Sequence, residues 1–312
     1  MKTMAEHRHK SITAKRRAKR RSWNYMGLLY ISPWLIGFLL FELYPFASSF
    51  IYSFTDLSLL RKPHFIGLDN FTNLFSNDPL FLKSLQVTFI FVLIAVPSKI
   101  IFSLLVALIL NMKLKSINLF RTIYYLPSIM GGSVTVAILW RYLFSKEGLI
   151  NVMLDRIHIP GVDWIGSPKY ALFTISLLTV WQFGSSMVLF LAGLKQVPGE
   201  LYEAGKIDGA SRIRMFFSIT LPLITPILFF NLIMQMVNAF QEFTGAMIIT
   251  GGGPLNSTYL YGLLIYQNAF QFFKMGYASA QSWVLFIIIL IFTFFTFKSS
   301  SSWVHYEDGG KN

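Results

Sequence analysis

Residues 200–226 read ELYEAGKIDGASRIRMFFSITLPLITP. Glu200, Glu203, Lys206, Asp208, Arg212 and Arg214 crowd its beginning, although long apolar runs flank it at 171–194 and 221–249. Just upstream, Pro198 suits a first helical turn, where its missing N–H costs nothing. Glu200 and Glu203 then sit near the positive end of the helix dipole. Gly209 ends this short helix, and Ser211 caps a second helical piece that runs through Ile219, Leu221 and Pro222 into the next apolar run. The stretch therefore predicts a polar helix outside lipid, rigidly joined to two membrane helices.

The rest of the chain supplies the membrane. Of 312 residues, 54% are hydrophobic and 13% charged, against roughly 25% charged in a soluble domain, and the mean hydropathy is +0.55. Runs of roughly 20 apolar residues span a bilayer. Such runs occur at 26–50, 87–110, 122–144, 171–194, 221–249 and 278–297. No water reaches the hydrocarbon core, so each span must satisfy its own backbone hydrogen bonds, which helices of this length do. The expected fold class is all-α integral membrane with six transmembrane helices.

Orientation follows from Lys and Arg, which accumulate in cytoplasmic segments. Lys2, Arg8, Lys10, Lys15, Arg16, Arg17, Lys19, Arg20 and Arg21 precede the first run. With that end inside, Lys113, Lys115, Arg121, Lys195, Lys206, Arg212, Arg214, Lys298 and Lys311 are also cytoplasmic, 18 in all. Seven remain outside: Arg61, Lys62, Lys83, Lys146, Arg156, Lys169 and Lys274. Both termini are expected in the cytoplasm. The division is a basic arm at 1–25, a membrane domain at 26–298 with its charged loop at about 195–220, and a tail at 299–312.

Several function classes find no support. The net charge of +13 comes from a cluster that abuts the first span, which reads as topology and contact with anionic lipid, and no nucleic-acid partner is expected. The first run is longer than a signal-peptide core and has no clean small-residue cleavage site after it. Without cysteine there is no disulfide, thiolate ligand or thiol nucleophile. No GxxxxGK[ST] or HExxH occurs, and His7, His9, His64, His158 and His305 fall at the termini or in outer loops. No catalytic residue, cofactor or metal is expected in this chain, so any energy must come from another subunit.

The charged loop carries a family pattern. Glu203-Ala204-Gly205, Asp208-Gly209-Ala210, Ile219 and Leu221-Pro222 resemble the EAA loop of binding-protein-dependent ABC importer permeases, most closely the maltose-type carbohydrate branch. Gly205 departs from it, since a second Ala is frequent there; both residues are small. Gly67-Leu68-Asp69-Asn70-Phe71, Arg121 before Tyr124-Tyr125-Leu126-Pro127, and Thr250-Gly251-Gly252-Gly253-Pro254 with Ser257-Thr258 look like the same branch. The resemblance implies a type I importer permease fold in a bacterial cytoplasmic membrane. Its loop forms a coupling helix that docks in a cleft of an ATPase. It also implies a second, related permease in a heterodimer, two cytoplasmic ATPases that bind ATP and Mg, and an external solute-binding protein.

A solute path is expected along the fifth run. Asn231, Gln235, Asn238 and Glu242 fall within about 60° on a helical wheel of roughly 100° per residue, with Gln241 beside them. Amides and carboxylates bind sugar hydroxyls. Polar groups in a membrane face either a cavity or another helix, so two readings stay open, solute path and helix glue. Gln182 with Ser185 and Ser186 gives a lesser polar face, and Trp181, Tyr124 and Trp283 are candidates for stacking on sugar rings. Arg141 either snorkels or, like Lys99, pairs with Glu42 or Glu242. Alternatively, these cations favour an acidic, uronate-containing sugar. Rival readings are uptake of another solute such as a polyol phosphate, a secondary transporter using Glu42, Glu242 and Lys99 as an ion relay, and a membrane enzyme.

Overall fold

The computed structural model describes residues 26–58, 62–112 and 116–305. The basic arm, Lys113, Lys115 and the end of the tail lie outside these residues. In chain order the helices are α1 (Met26–Tyr52), α2 (Asp69–Ser76), α3 (Pro79–Leu110), α4 (Ile117–Ile129), α5 (Val134–Leu143), α6 (Leu149–Arg156) and α7 (Pro168–Trp181). They continue as α8 (Gly184–Leu194), α9 (Gly199–Ile207), α10 (Arg212–Leu223), α11 (Thr225–Phe240), α12 (Tyr261–Tyr266) and α13 (Met275–Ser300). Among the described residues the β structure is one isolated bridge, Thr55 to Phe65.

Helix α3 is the axis of the bundle. Asp78 caps it by accepting from Leu80 N at 2.9 Å, and Pro79 occupies the first turn. It packs against α7, α8, α11 and α12. Lipid is as apolar as a core side chain, so close packing and hydrogen bonds between helices hold such a bundle together. Ala95 and Ala107 are fully buried on α3, and Phe91 packs beside them in the same core. The Tyr261 backbone N–H reaches Thr88 Oγ1 at 2.8 Å, and the Tyr261 hydroxyl donates to Gln281 O at 3.0 Å, tying α12 to both α3 and α13. Helix α1 lies at the periphery. It is held at its end by Trp283 of α13, whose ring lies 4.7 Å from Phe46 and 4.8 Å from Phe50.

Among the described residues, α1, α3 and α13 are unbroken and long and apolar enough to cross a bilayer; the other three runs are bent pairs. The run expected as a single helix at 122–144 divides into α4 and α5, which meet at 101°. The break falls on Gly131-Gly132, and Gly132 takes φ +71°, a conformation glycine adopts without steric cost. Helices α7 and α8 meet at 46° across Gln182 and Phe183. Ser128 of α4 closes that break: its Oγ donates to Gln182 O and accepts from Ser185 N, both at 3.0 Å. A Cβ on Gly184 would lie 2.7 Å from Tyr124 O, so a larger residue there would push α4 and α8 apart. Helices α10 and α11 meet at 68° at Ile224. Counting each bent pair as one crossing gives the six expected.

Candidate functional site

The charged loop folds as its local chemistry dictates. Helix α9 begins after Pro198 and ends at Ile207. Its last turn closes with Gly209 N donating to Lys206 O at 3.1 Å and Ala210 N to Gly205 O at 2.9 Å. This is the Schellman arrangement, which needs a left-handed residue at Gly209 (φ +72°). Ser211 then caps α10 by accepting from Arg214 N at 3.3 Å.

One face of α9 is fixed to α10. The Tyr202 hydroxyl lies 2.8 Å from Thr220 Oγ1. Gly205, one turn on, sits where an added Cβ would be 3.3 Å from Met215 Cγ and 3.4 Å from Ile219 Cδ1. An alanine fits there with a small shift of the flexible Met215 side chain, whereas a bulky residue would lever α9 off α10. Glu203, Ala204, Asp208 and Gly209 are exposed, and Gly205 and Ala210 half-buried. Ile207 is 87% exposed and Ile213 is 72% exposed. The charged helix thus has one seam fixed to the bundle and a mixed polar and apolar surface facing away. The sequence reading missed Tyr202 and Met215; the three-residue spacing of Tyr202 and Gly205 was the available signal.

The structure divides the polar stripe. Asn231 is fully buried between α8 and α11, its Nδ2 3.4 Å from Ser186 O. Among the described residues, Asn231 Oδ1 and Ser186 Oγ have no hydrogen-bond partner. Gln235 is also buried, whereas Asn238 is exposed. Helix α11 ends at Phe240, so Gln241 and Glu242 leave the helical wheel. Gln241 is exposed; Glu242 is half-buried and accepts from Gly245 N at 2.8 Å through Oε1. Gln182 sits in the α7–α8 break, and Trp181 beside it is 37% exposed with its ring 5.7 Å from Trp140. Trp283 is committed to the α1–α13 seam, and Tyr124 packs against Phe183.

Arg141 and Lys99 form no ion pair within 4.0 Å with Glu42 or Glu242, one of the readings left open above. Among the described residues the one ion pair within 4.0 Å is His64 with Asp56. Arg141 instead donates to Ile248 O at 3.3 Å, beside a cavity of about 400 Å³ lined with Tyr142 and Ser145. Lys99 is buried on α3, one turn from Ser103, whose Oγ donates to Phe183 O in the α7–α8 break at 3.2 Å. Among the described residues no group of three or more His, Asp or Glu gathers as a metal would require.

Comparison with known proteins follows the same outline. The family described as binding-protein-dependent transport system inner membrane component matches residues 77–302. A probable ABC transporter permease protein, YesP, of Bacillus subtilis (strain 168) is 50% identical over 293 residues, covering 92% of this chain and 94% of that protein. The lactose transport system permease protein LacF of Rhizobium radiobacter is 33% identical over 296 residues, covering 92% and 98%. Among solved structures, a chain of a bacterial ABC transporter that imports the acidic polysaccharide alginate superimposes with a TM-score of 0.77. It has 23% identity and covers 90% of this chain and 96% of that one.

Proposed function

The chain belongs to the binding-protein-dependent transport system inner membrane components, and from that membership we propose how its loop and its polar helix work together. It is a multi-pass permease subunit of an ABC importer and does not itself catalyse a reaction. Its solute is a sugar or oligosaccharide handed over by an external binding protein; the lactose relative and the alginate importer support this class. Two cytoplasmic ATPases hold ATP and Mg, and a second, related permease completes a heterodimer.

The observation that carries the mechanism is the fixed seam between α9 and α10. Force on the exposed face of α9 passes through Tyr202 to Thr220, and through Gly205 to Met215 and Ile219. Helix α10 then moves with α9, and α11, bent from it at Ile224, carries Asn231, Gln235 and Asn238. ATPase closure thereby shifts the polar stripe between inward and outward access.

The test is to purify the complex with its native partners and screen saccharides, with the binding protein present, for stimulation of ATP hydrolysis. A saccharide should raise the rate severalfold. Stimulation by a polyol phosphate and by no saccharide would transfer the permease to that solute class.

The charge bias supports a topology with both termini in the cytoplasm. Reporter fusions after Gly67 and Gly253 should read external, and one after Lys115 internal. A cytoplasmic signal from the Gly253 fusion would overturn this topology.

A further inference from the structure

Lys99 is the cation least explained by the fold. It lies in an unbroken membrane helix and is 8% exposed. Ser103, one turn away on the same face, has its Oγ 2.5 Å from Lys99 O and 3.2 Å from Phe183 O, which sets this turn of α3 against the α7–α8 break. Among the described residues no acceptor bonds to the Lys99 ammonium and no carboxylate lies within 4.0 Å. Glu242, the carboxylate at the end of the polar stripe, forms no ion pair with it within 4.0 Å and has its Oε1 engaged by the Gly245 N–H. Gly245 in turn packs near Ile175 and Leu178, the turn of α7 that leads into Gln182. A cation and its distant counter-charge thus flank one helix break, close to Gln182 and the end of the polar stripe.

An ionised side chain in a membrane interior is expensive and marks a functional pathway when it persists. Discontinuous helices are also where membrane transporters build solute sites. A lysine serving only to hold helices would bring its ammonium to a carboxylate or carbonyl, because an uncompensated buried charge costs more than the apolar residue that could replace it. Here the ammonium is not among the enclosed polar atoms left without a partner, so its N–H donors stay accessible to water and to a ligand that arrives and departs. A neutral solute offers them only hydroxyls, whereas an anionic one compensates the charge.

We propose that Lys99 is the anion-recognising residue of the solute path, with Glu242 as its counter-charge when no solute is present, and that the transported saccharide bears an acidic group such as a uronate carboxylate. The assignment rests on the saccharide reading and narrows it to acidic sugars.

The experiment uses the complex with its native partners reconstituted in liposomes, and the probes are uronic-acid di- and trisaccharides, their methyl esters and a neutral disaccharide. In the unaltered complex the acids should stimulate ATP hydrolysis at least tenfold better than their esters. Lys99→Gln should lower uptake of the acid by roughly 10-fold or more, the value of a hydrogen bond to a charged group. Recovery of the permease with its ATPases should stay close to normal, and Lys99→Arg should restore uptake. Equal responses to acid and ester, or full uptake of the acid in Lys99→Gln, would overturn the assignment. Failure of the permease to assemble with its ATPases in Lys99→Gln would do so too, since it would make Lys99 a structural tie; Lys99→Gln with Glu242→Gln, which leaves no lone charge, checks that result. Failure of every saccharide, charged or neutral, would instead remove the saccharide reading on which the assignment depends.

Discussion

Replacing Gly209 with proline is expected to abolish solute-stimulated ATP hydrolysis and uptake, while Gly209→Asn keeps most of both. Gly209 holds φ +72° and donates its N–H to Lys206 O. Proline fixes φ near −65° and has no N–H, so the closing turn of α9 cannot form; the cost is about 3 kcal/mol, or roughly 100-fold in a coupling equilibrium. Asparagine tolerates the left-handed conformation and keeps the donor. Glu203→Lys tests the same surface by another route, because Glu203 is exposed on α9 and its reversal opposes the charge an ATPase cleft would be built to meet. Stimulated hydrolysis and ATPase co-purification should be read on the same preparations. Normal uptake in both Gly209→Pro and Glu203→Lys would end the coupling assignment.

The loop was legible because its determinants are local. Gly209 terminates α9 and Ser211 caps α10 through atoms within a few residues of each other, which is the range over which sequence patterns speak. The helix breaks were not legible in the same way. Pro97 lies inside α3 without dividing it, whereas the third run breaks beyond Pro127, at Gly131-Gly132. The break at Gln182 depends on Ser128, which is 54 residues away in the chain. Side-chain periodicity also placed Asn231 and Asn238 on one face without distinguishing them. Helix α8 covers Asn231 and leaves Asn238 open, and only the three-dimensional arrangement records that difference. For Arg141 two readings stood open in the sequence, snorkelling and pairing with a carboxylate, because the Ile248 carbonyl that its guanidinium reaches lies 107 residues away.

The difference between Asn238 and its buried neighbours separates a solute path from helix glue. Asn238→Leu should lower saccharide uptake with normal recovery of the permease and its ATPases, because an exposed amide on α11 has hydrogen bonds to give a passing solute. Each lost bond is worth about 0.5 to 1.5 kcal/mol, so a Gln235→Leu, Asn238→Leu double variant should lose roughly 5- to 100-fold in uptake if both amides meet the solute. Asn231→Leu is the contrasting case. Its Oδ1 is buried without a partner and its one contact, with Ser186 O, is long at 3.4 Å, so removing the amide strands little. Subunit recovery should therefore stay close to normal in Asn231→Leu as well. The glue reading predicts another order of damage, with recovery falling first and most at Asn231 and Gln235, and uptake falling only in proportion to the complex that remains. Uptake per assembled complex is the deciding quantity: a normal value in the double variant would eliminate α11 as the lining of the path, whatever its effect on yield.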